Sequence, residues 1–164
     1  MDKVTSISIA LVAMVLFLPF ISHYLHHHPI MLKRFKALLL VTYGAIYLYL
    51  TLFNRTPGSV PRLELTTFWS YQKAWAGDVM MREEIILNIL LFIPLGYLLC
   101  FSGLGWWKVA LIGVCLSSTT EVIQYLTRLG LCELDDLISN GLGTMMGICA
   151  YHGFELVMRK IKRA

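Results

Sequence analysis

Several carboxylate and amide side chains lie close together in the sequence, inside or beside two segments that are otherwise strongly apolar. They are Glu121, Gln124, Glu133, Asp135, Asp136 and Asn140. An ionisable group inside a membrane costs several kcal/mol unless it is paired, protonated or directed into a polar cavity. Because these groups meet at adjoining segment ends, we expect a functional site there.

Two kinds of chemistry suit these residue types. A carboxyl group whose pKa is raised by burial can act as a general base, and Glu121 and Asp136 are the candidates for a catalytic role. Carboxylate oxygens also suit Mg²⁺ or Ca²⁺, and Glu121, Asp135 and Asp136 are the candidate metal ligands. The cofactor expected here, if any, is such a divalent cation.

The rest of the chain has the composition of a membrane protein. Hydrophobic residues make up 57% of the 164 positions and charged residues 15%, and the apolar residues form long runs rather than stripes. A helix needs about 20 residues to cross a bilayer. We therefore predict an all-α membrane protein with about five transmembrane helices, near Val4–Ser22, Phe35–Phe53, Ile85–Phe101, Trp107–Leu126 and Leu137–Met158. The first run ends without small residues before a cleavage point, so we interpret it as an uncleaved signal anchor.

Basic residues indicate the orientation of the predicted bundle. One set of loops and helix ends holds Lys33, Arg34, Lys36, Lys108, Arg159, Lys160, Lys162 and Arg163, and the other holds Lys3, Arg55, Arg62, Lys73, Arg82 and Arg128. The first set is packed more tightly against the helix ends, where the positive-inside bias acts. We expect the N-terminus outside and the C-terminus in the cytoplasm.

Helical spacing places the polar residues on common faces. Ser117, Glu121, Gln124 and Arg128 form one stripe, Asp136, Asn140, Gly143 and Gly147 a second, and Glu84 with Asn88 a third. Gly143 and Gly147 form a GxxxG face, which lets another helix approach closely. We expect the stripes to surround an outward-opening cleft, with ligand-binding candidates Arg55, Glu84, Asn88, Glu121, Gln124, Glu133, Asp135, Asp136 and Asn140.

Structural explanations exist for most of these residues. Asp135 and Asp136 precede a predicted helix, where acidic side chains cap free N–H groups, and Glu84 has the same explanation. Asn88 and Asn140 are suited to hydrogen bonds between helices. Glu121 lies inside its predicted helix near the C-terminal end, where the helix dipole opposes an anion. We therefore expect a functional role for Glu121, unless Arg128 neutralises its charge in a structural ion pair.

The segment 54–82 interleaves aromatic residues with charges. After the turn Asn54–Gly58 come Leu63, Leu65, Phe68, Trp69, Tyr71 and Trp75. This pattern predicts an interfacial or re-entrant stretch anchored by its aromatic residues, which also covers the bundle as a lid.

Other features carry less chemistry. The sequence around His26, His27 and His28 contains no acidic or cysteine residue, and the four cysteines show no CxxC spacing, so neither a zinc site nor a disulfide framework is indicated. The basic tail at 159–163 is typical of a contact with anionic lipid, and we expect no nucleic-acid partner.

The chain carries several short motifs, which are Arg55–Gly58, Phe68–Tyr71, Glu84 with Asn88, the run Asn88–Gly96, Glu121-x-x-Gln124, and Glu133-x-Asp135-Asp136-x-x-x-Asn140-x-x-Gly143. Taken together, these motifs resemble the VanZ-like family of membrane proteins. Two departures are visible: many members carry Asp at the position of Glu133, and the arginine that often precedes the acidic cluster is displaced to Arg128. The resemblance implies a VanZ-like membrane domain at residues 35–158, after an N-terminal helix and basic loop at 1–34 and before a basic tail at 159–164.

The resemblance also implies a bacterial cytoplasmic membrane protein, whose family namesake is associated with resistance to the lipid-tailed glycopeptide teicoplanin. Two hypotheses follow. One is an envelope factor whose cleft binds membrane lipids, a lipid-linked cell-wall precursor or a lipoglycopeptide. The other is a membrane enzyme, metal-dependent or not, that acts on a lipid-linked or phospholipid substrate; no histidine or serine nucleophile lies on the polar side to support it.

Overall fold

The computed structural model describes residues 3–161. Its elements, in order, are α1 Lys3–Tyr24, α2 Pro29–Leu48, β1 Arg62–Glu64, α3 Trp69–Trp75, α4 Val79–Phe101, α5 Trp106–Thr127, β2 Leu131–Glu133 and α6 Leu134–Ile161. A 3₁₀ turn at Leu25–His27 joins α1 to α2, and a π-helical turn at Tyr49–Phe53 extends α2. The predicted all-α class is confirmed, with one pair of short strands added.

Three helices within the described residues are long and apolar enough to cross a membrane: Pro29–Phe53, Val79–Phe101 and Trp106–Thr127. The other two predicted spans coincide with α1 and α6. Over its described residues α1 provides only a shorter apolar stretch, Ser6–Val15. The helix α6 carries Asn140, His152 and several glycines along its length, which lower its hydropathy.

Three helices begin earlier than the sequence predicted. Pro29 starts α2 in place of Phe35, because proline suits the first turn of a helix and needs no hydrogen bond there. Asp78 caps α4 ahead of Ile85, with its carboxylate accepting the N–H groups of Met80 at 3.0 Å and Met81 at 3.2 Å. The helix α6 begins at Leu134 rather than Leu137, so its acidic pair lies in the first turn.

The helix α4 is the centre of the bundle. It contacts α1, α2, α3, α5 and α6, most extensively α6. Phe92 and Leu98 on α4 are each 1% exposed. The ring of Phe92 packs edge-on against the ring of Tyr47 on α2, with the two ring centroids 5.6 Å apart. Pro94 also lies inside α4 and cannot donate to the helix ladder. Nearby, the Tyr43 hydroxyl donates to the Leu91 carbonyl at 2.9 Å.

Small residues bring the backbones of α4 and α6 into direct contact. A Cβ atom added at Gly143 would overlap the Ile89 carbonyl, and one at Gly147 would overlap the Ile93 carbonyl. From the other side, a Cβ at Gly96 would overlap the Thr144 carbonyl. The predicted close approach at the GxxxG face is confirmed, and the partner helix is α4.

The segment between α2 and α4 folds over one end of the bundle, which we call the loop end. There α2 and α5 finish and α4 and α6 begin. β1 pairs in parallel with β2, with Arg62 opposite Leu131 and Glu64 opposite Glu133. The short helix α3 packs on α4 and α6, so this segment covers the bundle as predicted. Trp75 on α3 is 94% exposed.

The glycine contact generates a first prediction. Gly147→Ala places a methyl group against the backbone of α4, so we expect the free energy of unfolding to fall by about 1–3 kcal/mol. Thermal unfolding in mild detergent measures this loss. Gly141→Ala is the matched control, because nothing lies within 4 Å of its added Cβ; its midpoint should equal or exceed that of the wild type. Equal midpoints for the two variants would contradict the close contact.

Candidate functional site

A ladder of polar pairs connects the antiparallel helices α5 and α6. At the loop end, the Glu133 N–H donates to Glu121 Oε2 at 3.1 Å. One step deeper, the Glu121 and Asp136 side chains hydrogen-bond to each other. One turn deeper again, Asn140 Nδ2 donates to Ser117 Oγ at 2.8 Å. Helical spacing predicted one polar face on α5 and one on α6, and in the structure these two faces point toward each other.

The contact between Glu121 and Asp136 is a pair of carboxyl groups. Their residues are 4% and 6% exposed, respectively. Two carboxyl groups can hydrogen-bond only when one of them holds a proton, because two carboxylates at that distance repel. Asn88 on α4 joins the pair, since its Nδ2 donates to Asp136 Oδ1 at 2.7 Å. Three helices therefore meet at one acid pair.

Arg55 supplies the positive charge close to the acid pair. Its guanidinium interacts electrostatically with Glu121 and Asp136. Gly130 leaves room for it, since a Cβ there would lie 2.7 Å from Arg55 Nη1. The predicted stripe wrongly included Arg128, because α5 ends at Thr127 and Arg128 takes a left-handed conformation with φ 60°. Its exposed guanidinium donates instead to the Ser59 carbonyl at 3.3 Å.

Gln124 has a structural role at the end of α2. It is 2% exposed, and its Nε2 donates to the Thr51 carbonyl at 2.9 Å, inside the π-helical turn. One turn away, the Tyr47 hydroxyl and Thr120 Oγ1 are 2.6 Å apart. These bonds fix the chain leading to Arg55 against α5.

Asp135 anchors the covering segment rather than joining the acid pair. Its Oδ1 accepts the Phe68 N–H at 2.6 Å, and its Oδ2 accepts both the N–H and the hydroxyl of Ser70, at 2.9 and 2.8 Å. These bonds hold the start of α3 and the left-handed backbone of Phe68. The Tyr71 hydroxyl adds a contact to Ser139 Oγ at 2.7 Å.

The proposed metal ligands do not form one cluster. Both oxygens of Asp135 bond to the covering segment, whereas Glu121 and Asp136 face each other. Over residues 3–161, no group of three or more His, Cys, Asp and Glu side chains is placed to hold a metal ion. The three-carboxylate arrangement expected from the sequence is therefore absent from this part of the chain.

A cavity of about 210 Å³ lies beside the acid pair, between α1, the end of α2 and the start of α4. Its polar lining residues are the candidates Arg55, Glu84 and Asn88, together with Thr51, Glu83 and the buried Ser8. Its apolar lining residues are Leu50, Met80, Leu87 and Leu91. Because Asn88 both lines the cavity and contacts Asp136, it connects the cavity to the acid pair.

Glu133 is the buried carboxyl group at the loop end of the ladder. It is 3% exposed, and burial raises its pKa to about 7, with further contributions from the charges of Glu84, Glu121, Asp135 and Glu64. These groups come from α4, α5, α6 and β1. The side chain therefore changes its protonation near neutral pH, although an ordinary glutamic acid is fully ionised there.

Sequence reasoning missed four residues that shape the site: Tyr47, Thr51, Thr120 and Gly130. A signal existed for the first two, because Tyr43, Tyr47 and Thr51 recur every four residues on one face of an otherwise apolar helix. No local pattern marks Gly130, whose importance arises only from the approach of Arg55.

The pKa of Glu133 generates a second prediction. From about pH 4.5 to 7 the unfolded chain releases this proton while the folded chain keeps it, so the free energy of unfolding falls as pH rises, by at most about 3 kcal/mol from Glu133. Glu133→Gln should flatten the fall and be more stable than the wild type at pH 8.

Thermal unfolding against pH, in choline salts that supply no small cation, measures this effect. Glu155→Gln is the control, because Glu155 is only partly buried and forms an ion pair with Arg159 on its own helix, at 3.6 Å; its pH curve should match the wild type. A Glu133→Gln curve parallel to the wild type would refute the assignment.

Comparison with known proteins identifies the relatives of the chain. The VanZ/LLP1 family matches residues 6–158. Protein VanZ of Enterococcus faecium is 34% identical over 71 residues, which cover 42% of this chain and 44% of that protein. The alignment thus spans less than half the length of that relative. No solved structure matches the chain at a significant level. Because the family match extends over nearly the whole chain, this protein belongs to the VanZ/LLP1 family.

Proposed function

We propose that this VanZ-type protein is a cell-envelope membrane protein whose polar cavity binds the headgroup of a lipid or lipid-linked cell-wall component and so alters susceptibility to teicoplanin. The observation that carries the proposal is the mixed lining of the cavity. Arg55 and Glu84 supply opposite charges, and three leucines and Met80 supply apolar surface. Family membership supports a role related to teicoplanin resistance, and we propose that the cavity performs it.

The lining suits one kind of ligand. A headgroup with an anionic phosphate and a hydrogen-bond donor finds Arg55 for the first and Glu83 or Glu84 for the second. The first carbon atoms of its chain then lie against Leu87 and Leu91, since burying apolar surface is favourable. The volume of about 210 Å³ holds a headgroup but not a whole lipid, so the chain extends out between the helices.

A second candidate function rests on the acid pair. Two buried carboxyl groups that share a proton have unequal affinities for it, which suits one to donate and the other to accept. An enzyme that transfers a proton during turnover of a lipid-linked substrate would use Glu121 and Asp136 in this way. The pair reaches the cavity through Asn88.

The third prediction tests the cavity. We expect purified wild type to retain a phospholipid or lipid-linked precursor in native mass spectrometry, and Ser8→Leu, which fills the cavity, to lose it. Ser118→Leu is the control, because Ser118 on α5 is half-buried away from the cavity and its hydroxyl donates to the Val114 carbonyl of its own helix at 2.9 Å. Arg55→Gln should lose the ligand, whereas Arg128→Gln should keep it.

The same variants, with Glu121→Gln added, distinguish ligand binding in the cavity from an enzyme that uses the acid pair. Expression of the wild type in a susceptible Gram-positive host should raise the teicoplanin concentration needed for growth inhibition, and Ser8→Leu should return it to the vector value. A released headgroup that disappears in Glu121→Gln would support the enzyme. Equal lipid retention by the wild type and Ser8→Leu would contradict a ligand in the cavity.

We also propose that the loop end faces outside and that the C-terminus lies in the cytoplasm. In support, the more tightly packed set of basic residues lies at the end opposite the loop end, and the positive-inside bias places such an end in the cytoplasm. Cys132 is a poor labelling site, because it is half-buried in β2 and burial raises the pKa of its thiol. Thr67 and Gly105 are exposed and lie at opposite ends of the bundle.

The fourth prediction uses a variant without native cysteines. Thr67→Cys should react with a membrane-impermeant maleimide in intact cells, and Gly105→Cys only after permeabilisation. The reverse pattern would invert the orientation and place the cavity on the cytoplasmic side.

A further inference from the structure

An amide oxygen lies unpaired beneath the acid pair. Asn140 is 5% exposed, and its Oδ1 is buried without a hydrogen-bond partner. Among the residues that the structure describes, only the indole nitrogen of Trp69 shares this condition. A buried polar atom with no partner costs about 1–3 kcal/mol, so such an atom indicates a ligand that the protein chain itself does not provide.

The surroundings of this oxygen select the ligand. Asn140 follows Asp136 by one helical turn on the same face of α6, and its own Nδ2 binds Ser117 Oγ. One oxygen of each carboxyl group in the pair accepts a hydrogen bond from a neighbour: Glu121 Oε2 from the Glu133 N–H and Asp136 Oδ1 from Asn88 Nδ2. The two carboxyl groups also share one proton, so they can bind a cation once that proton is released. The Asn140 Oδ1 has no partner to give up.

We propose that a monovalent cation of the size of Na⁺ binds between α5 and α6, held by Glu121, Asp136 and the Oδ1 of Asn140. Hard cations prefer oxygen ligands of this kind, and the ion takes the place of the proton that the pair otherwise shares, which leaves as H⁺. The amide oxygen gains the partner that it otherwise lacks. This site is separate from the lipid ligand proposed for the cavity and does not depend on it.

The small number of free oxygens favours one positive charge over two. Ca²⁺ takes six to eight oxygen ligands, and Mg²⁺ keeps several waters in an octahedral shell. Here the candidate ligands are three protein oxygens and the hydroxyl of Ser117, and the residues that carry them, Ser117, Glu121, Asp136 and Asn140, are each at most 6% exposed. The ion reaches them from the cavity past Asn88, whose amide contacts Asp136.

The experiment compares unfolding midpoints of the purified protein in NaCl and in choline chloride at equal ionic strength. At ten times its dissociation constant, Na⁺ should raise the wild-type midpoint by roughly 3–6 °C. Asn140→Leu, which keeps the volume but removes the oxygen, and Asp136→Asn should each abolish the rise. Ser139→Ala is the matched control, since Ser139 is equally buried but contacts Tyr71 instead; it should retain the full rise.

Isothermal titration of NaCl into the wild type gives a result even if Asn140→Leu does not fold. Saturable Na⁺ uptake that is absent in Asp136→Asn supports the site. Equal midpoints in the two salts, or a Na⁺ response that survives in Asn140→Leu, would overturn it. Stabilisation by Mg²⁺ or Ca²⁺ but not by Na⁺ would overturn the assignment to a monovalent ion.

Discussion

The backbone contact between α4 and α6 is the constraint on which the rest of the site depends. It needs glycine at positions 143 and 147, because any side chain there would meet the carbonyls of α4. The contact sets the separation of the two helices, and it therefore sets the reach of Asn88 to Asp136, which is 2.7 Å. In a membrane, where apolar side chains gain little by meeting each other, such close packing and interhelical hydrogen bonds hold helices together.

Once α4 and α6 are fixed, the remaining polar groups have few alternatives. Glu121 on α5 can avoid hydrocarbon only by facing α6, where it meets Asp136. Arg55 approaches from the end of α2 because Gly130 leaves space and Gln124 binds the neighbouring turn. The acid pair is therefore surrounded by structural bonds, which hold its geometry.

The sequence predicted the helices and most of the site for definite physical reasons. Helical spacing identified the faces of Glu121, Asp136 and Asn140, because that period depends only on local geometry. It failed at Arg128, because a helix end cannot be read from spacing, and at Asp135, because its partners Phe68 and Ser70 lie more than sixty residues away. Local patterns carry no information about such distant donors, so the anchoring role of Asp135 was visible only as a possible cap.

The polar ladder between α5 and α6 ends below Asn140. Below Asn140 the next pair is Gly113 against Thr144, whose hydroxyl donates back to the Asn140 carbonyl at 2.9 Å. Beyond it, Val109 and Ile148 pack with Cys100 in a buried apolar cluster, at 0%, 4% and 1% exposure. Water or an ion crossing this layer would lose its hydrogen bonds without replacement, at a cost of several kcal/mol. Over the described part of the chain, the polar ladder thus runs from the loop end to Asn140 and stops at this apolar layer, so it does not continue as a polar path through the bundle.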